Sequence, residues 1–188
     1  MRLSRFLPCA LLLASAASAQ PVVTAPFQSL QSRNGAHVTV RYGPAQRVMI
    51  LSGAPRISVN GNGRLTIDNH KGSHKIRADI EVVTPNLQAL AVEQGGRLTV
   101  APGFPRQDFI AAAVSNGGRL DLRRLPVDQV AAAVSQGGMI AVQPARQLSA
   151  AISQGGNITY WGQPSVSSSI KHGGVVARGN PEEREKPL

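Results

Sequence analysis

Ile110-Ala-Ala-Ala-Val114-Ser115-Asn116-Gly117-Gly118-Arg119-Leu120-Asp121-Leu122 decides the reading of this chain, because its frame recurs. A polar residue followed by two glycines stands at Gln94-Gly95-Gly96, Asn116-Gly117-Gly118, Gln136-Gly137-Gly138, Gln154-Gly155-Gly156 and His172-Gly173-Gly174. From first glycine to first glycine the steps are 22, 20, 18 and 18 residues. Three residues before that glycine stand Val92, Val114, Val134, Ile152 and Ile170; three after it stand Leu98, Leu120, Ile140, Ile158 and Val176. The positions five before (Leu90, Ala112, Ala132, Ala150, Ser168) and five after (Val100, Leu122, Val142, Tyr160, Arg178) continue the alternation.

Period-2 alternation places these columns on one face of short strands. Paired glycines let the backbone bend sharply between strands, since glycine enters positive φ freely. A step near 20 residues is too short for a strand plus a crossover helix, which needs about 30. It suits one winding of a coil that stacks on the last at about 4.8 Å. The expected fold is therefore all-β: a single-domain right-handed parallel β-helix (β-solenoid) with about 18–22 residues per coil. The hand follows from the strong right-handed preference of parallel crossovers. Four inward columns over five coils give roughly 20 interior side chains, each large one worth about 1.5–3 kcal/mol when buried. The alanine runs 110–114 and 130–134 are read as strands, because helices shorter than about 12 residues are marginal.

The first half is an irregular β portion. Val38-Thr-Val40, Val48-Met-Ile50, Ile57-Ser-Val59, Leu65-Thr-Ile67 and Ile80-Glu-Val82 alternate, and Asn60-Gly61-Asn62-Gly63 predicts a hairpin. These strands are expected to start the stack as a sheet or as irregular coils. Arg178, Gly179, Pro181 and the charged residues after them are expected to stop it.

Met1 to Arg5 carry two positive charges, Phe6 to Ala17 are apolar, and Ala17-Ser18-Ala19 is a small-residue cleavage pattern. The run is shorter than the 20 or so residues that span a bilayer, so it reads as a signal peptide and not an anchor. The expected organisation is a signal over 1–19, the β-solenoid domain over 20–180 and a charged disordered tail over 181–188. Export places the protein in the periplasm, at the cell surface or outside the cell. Cys9 lies within the leader, so the mature chain would offer no disulfide, thiolate metal site or cysteine nucleophile. Without Arg2 and Arg5 the chain holds 18 basic and 10 acidic residues. That excess favours acidic polysaccharide or another anionic cell-surface component. Aromatic residues are only 4%, which argues against base-stacking platforms and specific nucleic-acid binding.

No catalytic or metal constellation emerges, and no cofactor is expected. Seven acidic residues precede the tail; Asp79 and Glu81 share a strand face and form the best carboxylate pair, read as a solvated face. His70 and His74 flank Lys71-Gly72-Ser73, a loop with no further ligands. Ser115, Ser135 and Ser153 recur without a matching His or Asp, and the calcium-binding nonapeptide pattern is absent. The candidate ligand-binding residues are the stacked polar column Gln94, Asn116, Gln136, Gln154 and His172, with Arg97, Arg119, Arg123 and Arg124 beside it. A structural amide ladder is the competing reading of that column. Ala91, Ala113, Ala133, Ala151 and Ser169 should form a flat outward face, able to pack on a partner or on the N-terminal sheet.

With the features in this order, the chain resembles the auto-transporter adhesin head GIN domain family of exported bacterial β-solenoids. The resemblance runs from about Phe27 to Gly179. It is carried by Val38-Thr-Val40, Gly63-Arg-Leu65-Thr-Ile67, Ile80-Glu-Val82-Val-Thr-Pro85-Asn-Leu87-Gln-Ala-Leu90 and the glycine corners. The family's corner often reads Gly-Ser-Gly, whereas here Gln, Asn or His precedes Gly-Gly; the resemblance therefore carries the fold and no ligand. It implies a non-catalytic, adhesin-like or scaffold interaction module. The alternatives are a polysaccharide-active β-helix enzyme and a structural homo-oligomeric envelope protein.

Overall fold

A computed structural model describes residues 20–22, 24–69 and 77–183; the leader, the His70–His74 loop and the end of the tail lie outside the described residues. Fifteen strands follow one another: β1 (Gln20–Val22), β2 (Ser29–Arg33), β3 (His37–Tyr42), β4 (Arg47–Ser52), β5 (Arg56–Val59), β6 (Arg64–Asp68), β7 (Asp79–Thr84), β8 (Ala89–Val92), β9 (Arg97–Val100), β10 (Gln107–Ser115), β11 (Arg119–Ser135), β12 (Met139–Ser153), β13 (Asn157–Tyr160), β14 (Ser165–Lys171) and β15 (Val175–Arg178). One turn of 3-10 helix, Pro181–Glu183, closes the series. The protein is all-β, a single curled sheet of mixed direction.

Each glycine corner joins two strands into a tier, and the tiers of the second half stack in parallel register. In one row Leu90, Ala112, Ala132, Ala150 and Ser168 lie opposite one another in turn. In the other, Leu98, Leu120, Ile140, Ile158 and Val176 do the same. Val92, Val114, Val134, Ile152, Leu122 and Val142 join them in one buried cluster. Removing these side chains from water is what holds the tiers together.

The first half is interleaved rather than simply first. β2 and β3 form a tier around Asn34-Gly35-Ala36 that lies against β8 and β9, with Leu30 opposite Leu90 and Val38 opposite Leu98. β6 and β7 form another on its far side, with Leu65 opposite Leu30 and Ile80 opposite Val38. The Asn60–Gly63 hairpin makes this possible: it returns β5 antiparallel into β6, which can then pair parallel to β2. β4 on β7 and β1 on β4 are antiparallel and finish that end. The N-terminal strands therefore extend the sheet edge to edge. They do not pack on the small-residue face; β2 and β6 continue it, with Gln31 opposite Ala91 and Thr66 opposite Gln31.

The corners are tight β-turns of the I′ kind. Gln94 and Gly95 have φ of 51° and 74°, Asn116 and Gly117 50° and 77°, and Gly118 N donates back to Ser115 O at 3.2 Å. Two successive left-handed residues define that turn, which favours Asn-Gly and excludes β-branched residues. The second glycine has a different reason. A Cβ on Gly156 would lie 2.4 Å from Val134 Cγ1, and one on Gly138 2.6 Å from Val114 Cγ1. The previous tier's aliphatic column fills that space.

Between tiers the chain turns a second corner, and each of these carries a proline: Pro105, Pro126, Pro144 and Pro164. β11 and β12 run through it as 17- and 15-residue strands, with register shifts between Leu122 and Gln129. Among the described residues the stack stops open at the C-terminal end. β14 is exposed along its whole length, and Val166, Ile170 and Val175 are 40%, 45% and 53% exposed.

Candidate functional site

The nine candidate residues fall into two places. Gln94, Asn116, Gln136, Gln154 and His172 form one exposed column, each with φ between 50° and 61°. Among the described residues no side-chain hydrogen bond joins them to one another. What the position requires of them is a left-handed backbone, which Asn tolerates best among non-glycine residues. Asn34, with φ of 53°, heads the same column, and its Nδ2 donates to Asp68 Oδ1 at 2.7 Å. An Asn-Gly pair was the available signal for it; lacking a second glycine, it escapes a search for Gly-Gly.

Arg97 and Arg119 lie beside this column, in register with each other and with His37. Partial burial, then Arg97 and Arg77, hold the His37 pKa below its ordinary value against the opposing pull of Asp79. Arg123 and Arg124 stand four and five residues further along β11, roughly 13 Å from Arg119 at about 3.3 Å per residue. They belong to the proline corners.

There the second corners of successive tiers enclose an open cleft of about 630 Å3, lined by Pro102, Arg106, Arg123, Arg124, Gln143 and Gln163 among others. Its walls are organised by two carboxylates. Asp128, buried beneath the corner, accepts from Arg106 Nε at 2.7 Å and lies 3.5 Å from Arg146 Nε. Asp121 accepts from Arg123 Nε at 2.9 Å, and hydrogen bonding to it raises the Arg123 pKa further, so this guanidinium stays charged. Arg123 also lies over the Trp161 ring, 5.4 Å from its centroid. Trp161 is itself buried, and its Nε1 donates to Asn180 O at 2.9 Å. Arg124 is exposed and has no ion pair among the described residues. Gln143 Oε1 is buried with no hydrogen-bond partner. Three arginines and no carboxylate line the cleft, which leaves it positive, with the exposed Arg124 guanidinium as a cationic fork.

A second depression, of about 510 Å3, follows the small-residue face past Ala91, Ala113, Ala133, Ala151 and Ser169. It is shallow and carries no charge-bearing group except Arg64 at one end. The carboxylate pair on β7 is already engaged. Asp79 Oδ2 accepts from Ser52 Oγ at 2.7 Å and Glu81 Oε2 from Arg41 Nε at 2.7 Å. Among the described residues no three His, Cys, Asp or Glu side chains gather as metal ligands. Nor is any described helix long and apolar enough to cross a membrane. His70 and His74 lie outside the described residues.

The described residues form an all-β stack with a basic cleft at its proline corners. Residues 106–164 match the sequence profile of the family described as "Putative auto-transporter adhesin, head GIN domain", the family that the chain resembles from its motifs. The matched stretch contains β10 to β13 and most of the cleft. A putative adhesin of Bacteroides fragilis shares the fold at a TM-score of 0.50 and 14% identity, over 88% of this chain and 98% of that one. Weaker likenesses are a putative adhesin of Parabacteroides merdae (TM-score 0.38, 10% identity, 87% and 96% covered) and a protein of Parabacteroides distasonis described as a putative lipid binding protein (0.35, 13%, 87% and 96%). No curated protein matches the sequence.

Proposed function

We propose that this protein is an exported, non-catalytic, adhesin-like module whose tiers form a right-handed β-solenoid and whose proline-corner cleft holds acidic polysaccharide. One observation carries the reading. Arg106 is held in place by Asp128 and Arg124 has no ion pair among the described residues, both on one cleft. A carboxylated sugar supplies an anion for the guanidinium forks. The cleft crosses four tiers, about 14 Å at roughly 4.8 Å each, which suits an extended chain. Its one tryptophan is buried, so the cleft offers no stacking face to bases. Arg97, Arg119 and the column Gln94–His172 form a second, weaker strip for the same polymer at the glycine corners.

The hand follows from the parallel crossovers that join one tier to the next. The leader supports export to the periplasm, surface or medium; the charged end after Asn180 reads as a tail outside the domain.

The test is retention of the purified protein on immobilised polygalacturonate, with neutral dextran as control. Wild type is expected to be retained at low salt and released as salt screens the contacts. Arg106→Glu with Arg124→Glu should abolish retention, and Arg97→Glu with Arg119→Glu should only weaken it. Equal elution of wild type from both matrices overturns the proposal.

A further inference from the structure

We infer that the open terminal tier is the interface of a two-fold dimer, closed by antiparallel pairing of β14 with β14 of a second copy about Ser168. Among the described residues β14 pairs with β12 alone, so its other edge presents unpaired backbone groups. Exposed edges are commonly protected by brevity, proline or charge. β1, β5 and β15, the other outer strands, are three, four and four residues long. β14 is seven residues long, holds no proline and reaches its first charge only at Lys171.

The uncovered face is apolar in the right places. Val166, Ser168 and Ile170 lie opposite Leu148, Ala150 and Ile152, which are 0%, 4% and 2% exposed. The core columns thus run into the last tier and end there uncovered, with Val166 and Ile170 in the open.

The sequence of β14 selects the partner, because it is self-complementary about its centre. Antiparallel pairing about Ser168 sets Val166 opposite Ile170 of the second copy, Ser167 opposite Ser169, and Ser168 opposite its own equivalent. Both core columns then continue into the neighbouring molecule. Lys171 faces Ser165 of the second copy, and the two lysines end roughly 20 Å apart at about 3.4 Å per residue. A parallel arrangement would bring like charges together, which is destabilising in a sheet. Antiparallel strands finish the other end of the stack; the contact is isologous and closes as a dimer, with no filament to propagate. The inference is independent of the glycan reading. If both hold, the dimer presents two arginine clefts to one polymer, a source of avidity.

Sedimentation velocity over a dilution series of the Cys9→Ser protein, followed by its Ser168→Cys and Ser168→Asp derivatives, decides it. The parent should sediment as a dimer at micromolar concentrations. Ser168→Cys should cross-link to a dimer on mild oxidation, because equivalent Cβ atoms meet at the two-fold at about 5 Å. Val166→Cys alone should not. Ser168→Asp places two carboxylates face to face and should raise the dimer dissociation constant at least about tenfold. Ser168 is exposed in the single chain, so its circular dichroism should be unchanged. A monomer at every concentration overturns the inference. A dimer that neither cross-links through Ser168→Cys nor responds to Ser168→Asp overturns it in favour of another face. Glycan retention by the monomeric Ser168→Asp variant separates failure here from failure of the cleft.

Discussion

Gly155→Ala and Gly156→Ala, one residue apart, should differ in cost because their glycines answer different demands. Gly155 has φ of 81° and open space where a Cβ would go. Alanine there meets only the left-handed backbone penalty, about 1–2 kcal/mol. Gly156 has φ of 121°, and a Cβ would sit 2.4 Å from Val134 Cγ1 and 3.1 Å from Gly138 O. Backbone strain of about 1–3 kcal/mol is joined there by overpacking of about 1–3 kcal/mol. The second substitution should therefore cost about two to three times the first. Urea unfolding followed by circular dichroism gives both values, provided the slopes agree and only the midpoints move. Val134→Ala removes the offending methyl, so the double variant Val134→Ala/Gly156→Ala should be more stable than the two single costs imply, by a coupling of about 0.5–3 kcal/mol. The reasoning fails if Gly155→Ala costs as much as Gly156→Ala, or if the double variant shows no coupling. The chain already contains a related substitution: Ala36 fills the second-glycine position of the β2–β3 corner, where φ is not positive.

Leu120 is fully buried in the middle of its column, and Leu120→Ala should cost about 2–5 kcal/mol by urea unfolding. The His37 pKa lies below its ordinary value of about 6.5, so protons bind the unfolded chain more readily than the native one. Stability should be full above that value and fall as pH drops through the depressed native pKa, while His37→Gln should flatten this part of the pH profile. Trp161→Phe keeps most of the ring under Arg123 but loses the bond to Asn180 O. A cost of about 0.5–1.5 kcal/mol is expected, with little change in glycan retention. Asp79→Asn with Glu81→Gln should leave polygalacturonate intact, just as the parent does; depolymerisation by the parent that this pair abolishes would make the protein an enzyme.

The stacked tiers were legible because close packing repeats the same demand in each. Val92, Val114, Val134 and Ile152 meet one another in register, and a β-branched aliphatic side chain is the answer at every step. The first half was legible as strands but not as tiers. Asn34-Gly35-Ala36 turns like the other corners, yet alanine hides it from a search for paired glycines. Nothing local to β6 says that it will lie beyond β2 and not beside β8, since that order depends on pairing between strands 35 residues apart. The antiparallel strands at that end depend on the same non-local choice. Arg123 and Arg124 stood out as charges, but Arg106 and Gln163 did not, because only the second corner brings them into one cleft.

The two corners explain why function was harder to read than fold. At the glycine corner the backbone and the previous tier's side chain determine the residue type, so the sequence there is nearly uniform and carries little chemical information. At the proline corner the residue following the second row is Arg123, Gln143, Trp161 and Gly179 in successive tiers, stacked by backbone bonds such as Trp161 N to Val142 O and Gly179 N to Tyr160 O. These four differ because they fit one another. Arg123 lies over Trp161, and a Cβ on Gly179 would strike the same ring at 2.4 Å. An alignment that scores sameness discards this column, although two of its members, Arg123 and Gln143, line the cleft. In a stacked protein the repeat encodes the scaffold, and the side-chain chemistry varies where equivalent positions stop resembling one another.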